Sequence, residues 1–263
     1  MKVKLRVNII VAFSTLLIAT VSIIFFYTQK KTSVGIDQIT QNLVSTVTKN
    51  VSDETISFLN PAVQIAKNLT ENPSRLQSSF RHSDSLETHF EVHAADMLKM
   101  HPQISGIFVG DEQGRFLFAK QMEKGKTGIK VIDPNGKLLP KFLDLIEEKG
   151  LQEFTVIGDA NAGVVQNSFW KNLNEAGALT EIRINKDDNY DPRLRPWYQG
   201  AQKAEKIFWT DTYIFFTAQK PGITTAKPFF NAFGDLIGVV GVDIELDQLS
   251  VFLENQKVGK QGR

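Results

Sequence analysis

The sequence predicts an α+β fold in which helices come first along the chain and an antiparallel sheet follows. Two observations predict it. Apolar residues recur at steps of three to five over residues 31–72, which is the period of a helix. Beyond residue 104, short apolar runs alternate with glycine-containing turns, which is the pattern of antiparallel strands. Because helices and strands occupy different parts of the chain, the helices are expected to flank the sheet as separate layers.

Residues 8–27 form a charge-free apolar run that predicts a transmembrane helix. A helix of this length rises about 30 Å, the thickness of the hydrocarbon core of a bilayer. Basic residues within 1–7 precede the run and favour a cytoplasmic N-terminus. A cleaved signal peptide is the alternative, although its apolar region would be only about 7–15 residues long. The remainder of the chain is therefore expected outside the cytoplasm, anchored in the membrane by this helix.

Residues 28–72 predict a long helix that rises from this anchor. Pro61 should kink the helix or restart it, because proline removes a backbone donor and clashes with the preceding turn. One face of the helix can pack on the fold and another against a second copy. A homodimer formed through this helix is therefore expected.

A second helix is predicted over residues 84–100, before Pro102. His89 and His93 lie four residues apart on one face of it, with Glu91 between them. That spacing can bind zinc, but the acid does not stand where a zinc protease places its general base, and no third ligand is obvious. Solvent-facing histidines and no metal site are the expectation.

The predicted strands begin with a hairpin formed by residues 104–109 and 115–119. Residues 120–137 have the composition of a loop with room for one short strand, and residues 151–177 are ambiguous. A helix is predicted from Pro140 to Lys149, since proline favours the first helical position.

The C-terminal part is rich in strands. Helices are predicted from Pro196 to about Ala204 and over residues 246–254. The nearly continuous apolar run 236–242 predicts a central strand with Asp243 near its end. The strand candidates are residues 179–184, 206–209, 213–216, 223–229 and 236–244.

The segment 190–198, YDPRLRPWY, concentrates two guanidinium groups, three aromatic rings and two prolines. The prolines fix φ and hold the segment stiff. Arginine offers a planar fork that matches a carboxylate, and Trp and Tyr provide an apolar wall with a polar tip. This chemistry indicates a pocket for a small anionic or zwitterionic ligand. The alternative is an exposed turn that opens a helix at Pro196, with the aromatic rings packed as core.

Composition excludes several classes of function. The chain has no cysteine, so it has no disulfide, thiolate metal site or cysteine nucleophile. A net charge of +1 gives no broad basic surface for nucleic acid. No phosphate-binding loop or nucleophile elbow occurs, so no enzymatic activity and no cofactor are expected.

Together, the anchor, the long helix, the hairpin ISGIFVGDEQGR (104–115), the 190–198 motif, WTDTY (209–213) and GVVGVDI (238–244) resemble a double Cache sensor region. Such regions serve bacterial chemoreceptors, histidine kinases and cyclases. The resemblance covers roughly residues 30–263. It implies a PAS-like sheet on a long helix, and a sensor that binds a small ligand in signal transduction such as chemotaxis. Residues 73–254 would form the membrane-distal module, and residues 255–263 would begin a truncated connection to a missing proximal module.

The resemblance also implies site residues, because amino-acid binders of this family share a pattern that the chain matches at Tyr190, Arg195, Trp197, Tyr198 and Asp243. Arg195, the Tyr190 hydroxyl and the Trp197 indole N–H would hold a ligand carboxylate. Asp243 would face the ligand ammonium.

Two further positions complete this interpretation. Tyr213 and Tyr198 would help Asp243 at the ammonium, whereas Phe215 departs from the pattern of binders that have a second acid there. Asp243 is thus the one clear negative charge. An amino acid, another small carboxylate or an amine are the open ligand classes, and a membrane-anchored dimerisation module without a ligand is the alternative function.

Overall fold

The computed structural model describes residues 2–80, 88–122, 125–148, 150, 155–157, 168–185 and 189–254. The chain divides into two compact units, residues 1–56 with 257–263, and Ser57–Gln256. Each unit is described by itself.

Helix α1 is Lys2–Thr70, and its residues up to Ile56 belong to the first unit. Within the part of the chain that the structure describes, one helical stretch is long and apolar enough to cross a membrane, Phe13–Lys31. It overlaps the predicted span 8–27, whose first side chains lie outside the described set. Its large apolar side chains are exposed, which is typical of a surface that contacts lipid or another protein.

Pro61 lies inside α1, so the helix does not restart there. Proline removes only one backbone hydrogen bond, and the remaining bonds of the helix are retained. From Ser57 onward α1 belongs to the second unit. Its buried residues recur at helical spacing and form one apolar face: Ala62, Ile65, Ala66 and Leu69.

In its described residues, the second unit combines five shorter helices with a sheet. The helices are α2 (Pro73–Ser78), α3 (His89–Met100), α4 (Leu138–Glu148), α5 (Pro196–Ala204) and α6 (Leu246–Glu254), and a 3₁₀ turn covers Pro192–Leu194. The strands are β1 (Gly106–Asp111), β2 (Phe116–Gln121), β3 (Thr127–Ile132), β4 (Thr155–Ile157), β5 (Ser168–Leu173), β6 (Leu179–Asn185), β7 (Phe208–Trp209), β8 (Tyr213–Ile214), β9 (Pro221–Phe230) and β10 (Leu236–Glu245).

The strand order is β4-β6-β5-β3-β2-β1-β10-β9-β7, and β8 pairs with β9. All pairs are antiparallel except β4 with β6. The predicted α+β class is confirmed, and β10 is the central strand that its apolar run predicted.

The differences from the sequence prediction lie at element boundaries and in the two unassigned regions. Strand β3 lies in the segment predicted as mostly loop, and β5 lies in the ambiguous region. Helix α4 begins at Leu138, two residues before Pro140, because the Asp133 carboxylate accepts from the backbone N–H groups of Lys137 and Leu138.

Helix α3 begins at His89, because Thr88 and Glu91 form a capping box in which each side chain accepts from the other's backbone N–H. The predicted start at residue 84 lies outside the described residues.

The sheet buries both of its faces. One face carries residues such as Ile107, Leu117, Val240 and Val242, which form a core with the C-terminal turns of α1 and with α3 and α4. The opposite face carries a second cluster, which includes Phe108, Phe116, Phe118, Val239 and Trp197 of α5. The 190–198 motif is therefore packed on the aromatic face of the central strands.

Candidate functional site

A cavity lies on the aromatic face of the sheet, and its free volume is about 30 Å³. Strands β1, β2 and β10 contribute to its walls, together with the 190–198 motif and the segment around β8. It is lined by Ser105, Phe108, Phe116, Phe118, Lys120, Tyr190, Arg195, Trp197, Tyr213, Phe215, Phe216, Thr217, Ala218, Asp243 and Glu245. Five of the six predicted ligand-binding residues are thus brought together, and one is not.

Arg195 is positioned by the local backbone of the motif. The Asp191 side chain accepts from the Arg193 N–H and caps the 3₁₀ turn, and the Arg195 N–H donates to the Pro192 carbonyl. Arg195 itself has extended backbone angles (φ −90°, ψ 148°), as a residue before proline prefers. This sharp change from turn to helix directs the side chain towards the cavity.

The Arg195 guanidinium lies among three aromatic rings. Its central carbon is 5.9 Å from the ring centre of Tyr190, 5.8 Å from that of Tyr213 and 5.8 Å from that of Phe216. These distances are in the range of cation–π attraction. One guanidinium nitrogen also donates to the Ile214 carbonyl at 3.4 Å. The cation is thus held by weak contacts, and a carboxylate would offer it stronger, charge-assisted hydrogen bonds.

Trp197 and Tyr190 form a hydrogen-bonded pair rather than two separate donors to a ligand. The indole Nε1–H of Trp197 donates to the Tyr190 hydroxyl at 3.4 Å. The indole donor therefore acts on the cavity through Tyr190. Trp197 is buried and fixes the wall by an edge contact with Phe108, at 4.8 Å between ring centres.

Asp243 is 7% exposed and forms the end of a hydrogen-bond chain. The Thr224 hydroxyl donates to Asp243 Oδ1 at 2.5 Å, and the Tyr213 hydroxyl lies 2.7 Å from the Thr224 oxygen. A threonine hydroxyl has one proton, so Tyr213 is the donor in its contact with Thr224. The register of the sheet explains this chain, because Asp243 of β10 stands opposite Thr224 of β9.

Burial raises the pKa of Asp243 well above the ordinary value of 3.8. The nearby charge of Glu245 raises the same pKa further, whereas the Thr224 hydrogen bond and the charge of Arg195 lower it. Burial and the charge of Asp243 raise the pKa of the Tyr213 hydroxyl, which keeps it a donor. The surroundings of Asp243 therefore favour a bound proton or a neighbouring cation at this carboxyl group.

Tyr198 lies outside the cavity lining, contrary to the role predicted for it at the ligand ammonium. It follows Trp197 on α5, so its side chain points about 100° further around the helix. Its ring packs edge-on against Trp197 at 5.5 Å and is buried. Burial, with the charges of Asp111 and Glu112, raises the pKa of Tyr198 to about 12. Tyr198 therefore packs behind Trp197, outside the cavity lining.

Glu245 lines the cavity and was missed by the sequence interpretation. It is 7% exposed, and the Lys220 ammonium lies 2.6 Å from its Oε2. The available signal was the alternation along β10, since residues two apart on a strand point to the same face. Asp243 and Glu245 satisfy that spacing.

The residues considered as metal ligands make other contacts. His89 and His93 contact each other edge-on at 4.2 Å between ring centres, and His93 is exposed. Glu91 points inward, and its carboxylate lies 2.5 Å from the ammonium of Lys171 on β5. Among the residues that the structure describes, no group of three or more His, Cys, Asp or Glu side chains could hold a metal ion.

Comparison with known proteins agrees with this architecture. Residues 166–251 match the family model "Methyl-accepting chemotaxis protein-like, first PDC sensor domain". This part of the chain is thus similar to the first sensor domain of methyl-accepting chemotaxis proteins. The match confirms the Cache-type assignment made from the motifs, and it includes the site residues from Tyr190 to Glu245.

The chain is also similar to parts of longer proteins. It is 42% identical over 76 residues to methyl-accepting chemotaxis protein McpB of Bacillus subtilis, a match that covers 28% of this chain and 11% of McpB. It is 38% identical over 71 residues to PscA of Pseudomonas syringae, covering 27% of this chain and 11% of PscA. The matched region thus spans about a tenth of the length of these relatives.

The chain is also similar to the ligand-binding domain of the Campylobacter jejuni chemoreceptor Tlp3, whose structure was solved in complex with L-valine. The two share 14% identity and a TM-score of 0.48, over 82% of this chain and 62% of that one.

If an amino acid binds with its ammonium at Asp243, the raised pKa of this acid predicts that binding depends on pH. The ligand ammonium would compete with the proton on Asp243, so each binding event would release a proton below the raised pKa. We expect the Kd of an amino acid such as L-norleucine to fall as pH rises, by up to about tenfold per pH unit, until Asp243 is ionised without ligand. Titration calorimetry from about pH 4 to about pH 8 measures this slope.

The raised pKa of Asp243 also determines how the stability of the fold changes with pH in the absence of a ligand. A folded-state pKa above the unfolded value stabilises the fold fully below pH 3.8, and this contribution is lost as pH rises through the folded pKa. A bound ammonium would offset the loss.

Asp243→Asn is the control for the predicted pH dependence of binding, and its Kd should vary little with pH. A wild-type Kd with no pH dependence would show that no ligand cation replaces the proton at Asp243.

Proposed function

We propose that this chain is the extracytoplasmic ligand-binding region of a bacterial transmembrane signalling receptor, and that its ligand is an amino acid. One observation carries the proposal: a permanent cation, Arg195, and a buried acid, Asp243, line the same cavity with aromatic walls. A zwitterionic amino acid carries the two complementary charges. A ligand with a carboxylate alone would use Arg195 and leave the acid unmatched.

The proposed roles follow from the contacts. Arg195 would bind the ligand carboxylate through its guanidinium fork, helped by the Tyr190 hydroxyl, while Asp243 would bind the ammonium. Tyr213 would act through Thr224, because its hydroxyl holds the threonine that positions Asp243. Trp197 would support Tyr190. This role is binding, and no step of catalysis is assigned to these residues.

Ligand entry would require movement, because the space in the cavity that is open to the centre of a water molecule is only about 30 Å³. Phe216 is the natural candidate to move, since it is 41% exposed while its ring contacts both Tyr190 and Arg195. It lies in the turn between β8 and β9, where Gln219 has a positive φ of 53°. We propose that this turn closes over the bound amino acid.

The anchor and the dimer belong to the same proposal. The apolar stretch Phe13–Lys31 would span the membrane and place the sensor domain on the periplasmic side. Apolar side chains of the following part of α1, such as Leu43, Val44 and Ile56, are exposed and would pack against a second copy. A reporter fused after Gln256 should be active outside the cytoplasm, and recovery of a mature chain that begins near residue 30 would contradict the anchor.

A thermal-shift screen tests the proposed function. The full chain in detergent is heated with each of the common amino acids, organic acids and amines. A ligand at a hundredfold excess over its Kd stabilises the fold by about 2.7 kcal/mol. Stabilisation by at least one amino acid is expected. If none of them stabilises the chain, the alternative of a dimerisation module without a ligand is favoured.

A further inference from the structure

The cavity contains two acids on one strand. Asp243 and Glu245 are each 7% exposed, and both line the cavity. Alternate residues of a strand point to the same face, and two residues advance roughly 6.7 Å. The site therefore presents two buried acids whose backbone positions are about the length of a lysine side chain apart, where the sequence interpretation found a single acid.

The register of the sheet explains how Glu245 comes to occupy this place. Glu245 stands opposite Gly222 of β9, and Gly222 stands opposite Tyr213 of β8. Gly222 has no side chain, and the Phe215 ring fills the space where its Cβ would be. The apolar Phe215 and the acidic Glu245 are thus neighbours across β9, and the negative charge comes from β10 rather than from the segment of Phe215.

Glu245 is paired with a cation that can be exchanged. The ammonium of Lys220 lies 2.6 Å from Glu245 and 3.7 Å from Asp247, and the Lys220 side chain is half exposed. Glu245 also lines an open groove beside the cavity, together with Lys220 and Gln248. Glu245 therefore lies where the cavity meets solvent, so an extended ligand can reach it from the inside while Lys220 withdraws to the outside.

We propose that Glu245 is a second ligand-binding acid that selects amino acids with a cationic side chain, and that Lys220 takes the place of that cation in the empty site. This inference rests on the proposed function, since Arg195 and Asp243 would bind the α-carboxylate and the α-ammonium. The ligand class is then a basic amino acid such as lysine. The two cations of the ligand match the two acids of β10, and its carboxylate matches Arg195.

Titration calorimetry on the full chain in detergent tests this inference with L-lysine and L-norleucine. The two ligands differ at the end of the side chain, where an ammonium replaces a methyl group. We expect the wild type to bind lysine at least tenfold more tightly than norleucine. In Glu245→Gln, lysine should lose at least tenfold in affinity while the Kd of norleucine changes by less than about threefold.

Two further variants complete the experiment. Lys220→Met removes the competing cation and should raise the affinity for lysine severalfold with little effect on norleucine. Asp247→Asn is the matched control, because Asp247 also faces Lys220 but lies outside the cavity lining. It should change neither Kd. Lys220→Met also keeps the test decisive if Glu245→Gln does not fold.

The outcomes separate the two proposals. If norleucine binds but lysine has no advantage, or if the advantage persists in Glu245→Gln, the inference about Glu245 is wrong while the proposed function stands. A loss of lysine affinity in Lys220→Met would overturn it as well. If neither amino acid binds the wild type, the site does not take simple amino acids and both proposals fail for these ligands.

Discussion

Arg195→Ala is expected to weaken amino-acid binding about ten- to a hundredfold. A lost charge-assisted hydrogen bond is worth about 1.5–3 kcal/mol, which corresponds to this range of Kd. The effect should be large because the described contacts of the Arg195 guanidinium in the empty site are aromatic rings and one long hydrogen bond, so a carboxylate would be its strongest partner. Lysine at this position should restore binding only in part, because it lacks the planar fork. Calorimetry on the folded variant measures the loss.

Arg193 provides the matched control, since it belongs to the same motif but lies outside the cavity lining. Its guanidinium is 2.7 Å from Asp191 and donates to the Glu112 carbonyl at 3.2 Å. Arg193→Ala should leave the Kd unchanged. An unchanged Kd in Arg195→Ala, or an equal loss in both variants, would remove Arg195 from the site.

Lys171→Met should lower the free energy of unfolding by roughly 3–5 kcal/mol, the largest stability effect we expect from a single substitution in this chain. Lys171 and Glu91 form an ion pair whose side chains are each 2% exposed. The substitution leaves the Glu91 carboxylate in the core without this countercharge. The pair also ties α3 to β5, so its loss weakens the contact between a flanking helix and the sheet. Urea unfolding of the full chain in detergent measures the change.

Two variants control for this interpretation. Lys141→Met changes an exposed lysine of α4 in the same way and should alter stability by less than about 0.5 kcal/mol. The double variant Glu91→Gln, Lys171→Met removes both charges and should recover part of the loss. If Lys171→Met alone stays within about 1 kcal/mol of the wild type, the buried pair does not stabilise the fold in the way described.

The 190–198 motif could be located from the sequence because its chemistry is local. Two prolines and a capping aspartate determine the backbone over a few residues, so the relative positions of Tyr190, Arg195 and Trp197 depend mainly on their own segment. Asp243 could be predicted from the sequence for a related reason. A continuous apolar run that ends in an acid predicts a buried carboxyl group near the end of a central strand.

The remaining features depend on tertiary packing, which a single sequence does not specify. Tyr198 follows Trp197, and only the rotation of α5 against the sheet decides which of the two rings faces the cavity. Glu245 could be noticed by its alternation with Asp243, but its place in the cavity requires the register of β9 and the missing side chain of Gly222.

The sequence left room for one short strand where β3 lies and left the region of β5 ambiguous, because polar residues interrupt the apolar pattern of both strands. Lys130 and Lys171 are both buried, and a buried lysine is rare unless it has a partner. Lys171 finds one in Glu91, which is distant in sequence and on another element. In a sequence pattern such a lysine predicts an exposed position, whereas in the fold its side chain is buried and contacts the core.

The central claim, that the cavity binds a zwitterionic amino acid between Arg195 and Asp243, is tested most directly by four dissociation constants. L-norleucine and hexanoate, which differ in the α-ammonium, are each titrated into the wild type and into Asp243→Asn. We expect the wild type to prefer norleucine at least tenfold, and this preference to vanish in Asp243→Asn, because a buried ammonium loses its counter-charge. Hexanoate should bind the variant equally or slightly better, since a neighbouring negative charge is removed. A wild type that binds hexanoate as tightly as norleucine, or a preference that survives in Asp243→Asn, would contradict the claim.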